Sequence, residues 1–194
     1  MAFSKGKRIE DETSTRIIDL AVNIGCREGY DALTVTRLCK ELNCDRRVVY
    51  NRFRDVDEIN MIVAGRCNDE LILKAKESTS DKTSFEDKFK GFIKASFAYI
   101  YERNAYFQYY TALYEIGEEG IENGILDELI SFLKDGKQAG KVKGEINEKE
   151  AAESIWTMMT GFSSMLANHV NFSYSDALRS LEFGVSAVYE KIAK

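Results

Sequence analysis

Residues 34–53, TVTRLCKELNCDRRVVYNRF, hold two stretches of helical periodicity separated by a very short break. In the first, Val35, Leu38, Cys39 and Leu42 recur at helical spacing, which predicts a helix over Thr34–Leu42 with those residues on its buried side. Asn43 follows, one of the few non-glycine residues that tolerates the left-handed conformation ending a helix. Asp45 is placed to cap a second helix, because its carboxylate can accept orphan backbone N–H groups. That helix packs through Val48, Val49 and Phe53 and leaves Arg46, Arg47, Tyr50, Asn51 and Arg52 for other work. Two short helices joined by a tight turn, the second opening on polar residues, follow the helix-turn-helix plan for entering the DNA major groove.

Such a motif needs a supporting helix, since a three-helix unit is the smallest assembly that buries both short ones. Residues 11–28 supply it: Thr13 or Ser14 can cap it, Ile17, Leu20, Ala21 and Ile24 form its apolar stripe, and Gly29 stops it. Asp55, with Glu58 three residues on, opens a longer helix over 55–78, buried through Ile59, Ile62, Val63, Cys67 (or Arg66), Leu71 and Ala75. After the polar break at 79–83, Ser84 caps a helix over Phe85–Arg103, and a strongly aromatic helix is expected over Ala105–Gly117. Residues 121–139 resume the pattern and Gly140 ends it. Asn147 caps a helix reaching about Asn168, and Ser173 or Ser175 caps the last, over 176–192. With no proline in 194 residues, the chain reads as all-α, about nine helices in all. Residues 1–55 are expected to form the helix-turn-helix domain and residues 56–194 a second, helical domain.

The net charge of −5 argues against a nucleic-acid partner until its distribution is read. Residues 37–54 carry six basic side chains against two acidic ones, whereas residues 59–194 carry 16 basic and 21 acidic, which accounts for the entire excess. A basic patch on an acidic chain suits a reader of DNA whose remainder must not adhere to it. Lys5, Lys7 and Arg8 lie in a charged arm that reads as a disordered terminus and can also reach phosphate. No apolar run approaches the ~20 residues of a membrane span, and Met1–Arg8 is not followed by a signal-like apolar run, so a soluble cytoplasmic protein is expected. Cys26, Cys39, Cys44 and Cys67 lack zinc-site spacing and, beside a single histidine, read as buried reduced thiols. The sharper alternative is oxidation sensing at Cys44. No metal or cofactor is implied, and no catalytic residue is assigned.

Thr34-Val35, Leu38-Cys39, the Asn43-Cys44-Asp45 turn, Val49-Tyr50 and Phe53 resemble the operator-binding motif of tetracycline-repressor (TetR) type regulators, roughly T-V-x-x-I-A-x-x-A-G-V-S-x-x-T-L-Y-x-H-F. The sequence departs from that pattern at Asn43 for glycine, Asp45 for serine and Arg52 for histidine, and at Val56, where a phosphate-binding lysine is usual. The segment Gly136–Gly161 also resembles its counterpart in that family. The resemblance implies a homodimeric repressor of a palindromic operator, released or engaged by a small molecule. Arg46 and Arg47 are expected to reach base edges, since a guanidinium matches guanine in a bidentate pair. Asn51 would reach adenine or phosphate, and Tyr50, Thr34, Thr36 and Arg37 would hold phosphate. Val48, Arg52 and Arg54 complete the expected DNA set, the two arginines as substitutes for the missing lysine.

The remaining candidates lie in the second domain. Phe92, Ser96, Tyr99, Tyr106, Phe107, Tyr110, Tyr114, Trp156, Met159 and Phe162 have two readings, plain core or the wall of an effector cavity. Tyrosine is overused for a dry core, because each buried hydroxyl needs a partner, and the resemblance also implies a cavity in this half. Glu102 and Glu115 among the rings would suit a lipophilic cation. The last two helices are apolar over more than one stripe and rich in small residues, which predicts a four-helix dimer interface through Met165, Leu166, His169, Leu178, Leu181, Val185 and Val188. The rival classes are an enzyme, disfavoured by the lack of a metal cluster or phosphate-binding loop, and a helical protein-interaction adaptor with a non-DNA-binding helix-turn-helix.

Overall fold

The computed structural model describes residues 9–103, 124–168 and 171–194. Among them the chain forms eight α-helices, one short 3-10 turn and an isolated bridge between Val142 and Ala193. The helix expected over Ala105–Gly117 lies outside the described residues. The described residues divide into two compact units, one holding residues up to Cys67 and the other running from Asn68 to Glu102 and resuming from Gly124. The division falls inside one helix, between Cys67 and Asn68.

In the first unit, α1 (Glu12–Glu28) is capped by Asp11, not by Thr13 or Ser14. The Asp11 carboxylate accepts from the Ser14 N–H at 2.9 Å while the Ser14 hydroxyl accepts from the Asp11 N–H, a reciprocal box that satisfies two orphan donors. Ile17, Ala21 and Ile24 of α1 are fully buried, as their spacing demands. Gly29, at φ 91°, ends the helix and a 3-10 turn over Tyr30–Ala32 follows. The second helix, α2 (Val35–Leu42), starts from Thr34, whose hydroxyl accepts from the Arg37 N–H, and stops at Asn43 in the left-handed region (φ 50°, ψ 52°). The third, α3 (Arg46–Tyr50), is shorter than expected; Phe53 packs from the turn beyond it. Asp45 stands at its N-cap but its carboxylate makes no capping bond. The Val48 N–H it would have taken already donates to the Asp45 carbonyl at 2.9 Å.

Helix α4 (Val56–Glu77) buries Ile59, Val63, Cys67, Leu71 and Ala75. Asp55 accepts from the Glu58 N–H as anticipated, but Glu58 reaches one residue further back than in a regular capping box, to the Arg54 N–H. The second unit continues with α5 (Phe85–Glu102), α6 (Gly124–Gln138), α7 (Glu148–Asn168) and α8 (Tyr174–Ile192). Helix α7 lies against α6 and α8, and α8 also packs on α5. Ser84, Asn147 and Ser173 cap their helices through side-chain oxygens. The core is aromatic: the Phe85 ring stacks on Phe132 at 4.9 Å between centroids, and Phe89 meets Tyr189 at 5.7 Å. Gly136 makes that stacking possible, because a Cβ there would stand 2.5 Å from the Phe85 ring. Among the described residues no helix is long and apolar enough to cross a membrane.

Candidate nucleic-acid interface

The ten residues expected to meet DNA separate into three groups. Arg46, Arg47, Tyr50 and Asn51 are exposed on α3 and its C-terminal end, while Val49 between them is buried. Burial of Val49 and Phe53 on one side is what turns the polar side of α3 outward. Thr34 and Thr36 are exposed at the start of α2. The Thr36 hydroxyl accepts from Arg46 Nη2 at 2.9 Å, so one guanidinium is already held in place while Arg47 makes no ion pair among the described residues.

A second group is held by its own subunit. Arg37 donates both terminal nitrogens to Glu28 at 2.6 Å and Nε to Glu41 at 2.9 Å. Those carboxylates push the Arg37 guanidinium further toward its charged form, and Arg37 in turn holds Glu28 below its usual range. Arg52 donates Nε to Asp11 at 2.8 Å, a second nitrogen to the other oxygen of Asp11, and Nη1 to the Val48 carbonyl. Its side chain is only 13% exposed. The Arg52 guanidinium, with the Ser14 N–H, holds the Asp11 carboxyl well below the usual carboxylate range. These two arginines fasten α1 to α2 and α1 to α3. They fix the angle of the motif; Glu41 stands one helical turn from Arg37, but Glu28 and Asp11 arrive from another element. Arg54, also exposed, donates Nε to Asp55 at 2.6 Å. Val48 is half-buried, and its carbonyl serves Arg52.

The second unit holds the remaining candidates. Phe92, Ser96, Tyr99 and Met159 are buried, and Trp156 and Phe162 half-buried. The hydroxyls are satisfied internally, Ser96 by the Phe92 carbonyl and Tyr99 by Glu70 at 2.8 Å. Tyr106, Phe107, Tyr110, Tyr114 and Glu115 lie outside the described residues. A groove of about 700 Å³ runs between α5 and α8, floored by Ile93, Leu178, Leu181 and Val185 and edged by Lys90 and Lys94; none of the expected ligand residues lines it. On the expected dimer face, Leu181 and Val185 point into their own subunit, 1% and 3% exposed. Leu166, Leu178 and Val188 are half-buried, Met165 is 40% exposed, and His169 lies outside the described residues. The apolar side chain that α8 does present outward is Phe183, 79% exposed, which the sequence reading passed over. Its signal was available: Phe183 stands two positions from both Leu181 and Val185, on the opposite side of the helix.

No protein-family model matches the chain, and no curated protein matches it in sequence. Solved structures do resemble it. A regulatory protein in the tetR family from Rhodococcus RHA1 aligns over 95% of this chain and 98% of its own, with a TM-score of 0.68 at 14% identity. A fatty acid degradation regulator from Bacillus halodurans aligns over 94% and 97%, with a TM-score of 0.69 at 15% identity. A ketosteroid transcriptional regulator of Mycobacterium tuberculosis aligns over 98% and 100%, with a TM-score of 0.62 at 13% identity. From its helix-turn-helix to its last helix, the chain has the fold of the TetR-family transcriptional regulators.

Proposed function

We propose that the protein is a DNA-binding transcriptional regulator, a repressor that grips a palindromic operator as a homodimer and yields to a small apolar or aromatic molecule. One observation carries the reading: Arg46, Arg47, Tyr50 and Asn51 stand together on the outward side of a helix that two arginine–carboxylate clamps hold at a fixed angle. Arg46 and Arg47 would read base edges, and Thr34, Tyr50 and Asn51 would take phosphate or, for Asn51, adenine. Thr36 sets Arg46 in place. Arg37 and Arg52 are positioning residues rather than contacts. Two such helices would enter successive major grooves, about 34–36 Å apart or a multiple of it. The second unit supplies the dimer through the outward side of α7 and α8, where Met165 and Phe183 are exposed. Its aromatic content supports an apolar effector, as do two of its structural neighbours, a fatty acid degradation regulator and a ketosteroid transcriptional regulator. An effector there would act by preferring the spacing that does not fit the operator.

The adaptor reading draws on the internal pairing of Arg37, Arg52 and Arg54, which ties half of the basic cluster to carboxylates of the same chain. Selection of bound duplexes from a random pool, followed by affinity measurements across salt, separates the two. The regulator yields a two-fold symmetric site whose affinity falls steeply with salt as counterions are released. Recovery of no enriched duplex, or affinity indifferent to salt, would favour the adaptor.

A further inference from the structure

The turn between α2 and α3 carries two free thiols, Cys39 in the last turn of α2 and Cys44 just after the left-handed Asn43. The Cys44 N–H reaches back five residues to the Cys39 carbonyl at 3.0 Å. That bond lays residues 39 and 44 side by side, at the two positions whose side chains meet in this kind of helix ending. Ordinarily an apolar contact forms there; here both partners are sulfur. Each is half-buried. Cys67, by contrast, is buried in α4.

We propose that Cys39 and Cys44 form a dithiol modification site, closed by hydroperoxides to an intramolecular disulfide that misaligns α3. The second half rests on the DNA-binding reading; the first does not. Burial pushes the Cys39 thiol up, which disfavours its thiolate and casts Cys39 as the resolving partner. The Cys44 thiolate attacks one peroxide oxygen, the O–O bond breaks, and the departing oxygen leaves as water, giving a sulfenic acid. The Cys39 sulfur then attacks the Cys44 sulfur. The S–S bond forms, the S–O bond breaks, and the hydroxyl leaves as a second water with the Cys39 proton. Two thiols lose two electrons and hydrogen peroxide becomes two waters. An S–S bond of about 2.05 Å is far shorter than any non-bonded contact between two sulfurs. Closure therefore draws Cys44 toward α2. Asp45, the N-cap of α3, is the next residue, and Arg46 and Arg47 follow it.

The test uses the full chain and the duplex recovered by selection. Reduced protein is treated with hydrogen peroxide, remaining thiols are alkylated, and tryptic peptides are mapped. Cleavage after Lys40 leaves Cys39 and Cys44 on separate peptides, so only a disulfide holds them together. The expected result is that linked pair, with duplex affinity lowered about tenfold, the loss of one base-reading contact, and restored by dithiothreitol. Cys44→Ser should keep its affinity under peroxide, and Cys39→Ser should accumulate a Cys44 sulfenic acid trapped by dimedone. Two alkylated thiols after treatment would overturn the site, whatever the protein does with DNA. A mapped disulfide with unchanged affinity would overturn the switch and leave the DNA reading standing. A reduced protein that binds no duplex would defeat the DNA reading, while the mapping would still decide the site.

Discussion

At the scale of single residues, identical side chains have opposite duties. Arg46 and Arg47 face outward, and Arg37 and Arg52 are clamped between helices. Arg47→Ala should cost about 1–3 kcal/mol of specific affinity and relax the preferred base at one half-site position, read by competition among selected duplexes. Equal affinity for all duplexes before and after the change would remove Arg47 from the reading set. Asp11 permits a sign-checked prediction. Its folded value is depressed, chiefly by the hydrogen bonds from Arg52, so its contribution is complete above the unfolded carboxylate range and is lost as pH falls through the folded value. In denaturant titrations Asp11→Asn should therefore unfold earlier than the native chain at neutral pH. The gap should narrow only below about pH 4. Since the pair is partly solvated, the effect is modest; a gap that instead widens in acid would contradict the pairing.

At the scale of elements, the ends of helices decide the motif. Asn43 is the one non-glycine described residue with positive φ, and it separates the two helices of the motif. Asn43→Val should destabilise the fold by about 1–2 kcal/mol, while Asn43→Gly should be tolerated; urea midpoints for the pair make the comparison, and equal midpoints would deny the left-handed cap. In the second unit Gly136 is required by the Phe85 ring rather than by its own torsions. Gly136→Ala should cost about 1–3 kcal/mol through overpacking, and an unchanged midpoint would mean that Phe85 does not pack as described.

For the whole molecule the decisive question is pairing. An aromatic ring 79% exposed on α8 is costly to leave in water, and it shares the outward side of its helix with Ser180 and Ala187, small enough to let another helix approach. Phe183→Asp should leave helical content unchanged, because the ring supports no internal core, but should give a monomer by sedimentation. Operator affinity would fall with it, since two half-sites bound separately lose the gain of linkage. A variant that sediments as the native protein does would place the interface elsewhere.

The sequence by itself determined the helices of the described residues and their order. Apolar spacing at 3.6 residues, the asparagine stop and the Ser84 and Asn147 caps are local properties, and local physics reads directly from the chain. It also determined which stretch turns arginine outward, since Val49 and Phe53 can only face inward. Tertiary structure alone decided which arginines remain available. Asp11 lies 41 residues from Arg52 and Glu28 nine from Arg37, and no periodicity announces a carboxylate that arrives from another helix. It decided as well that Leu181 and Val185 face inward and Phe183 outward, because a helix apolar on two sides has no preferred inside until its neighbours are placed.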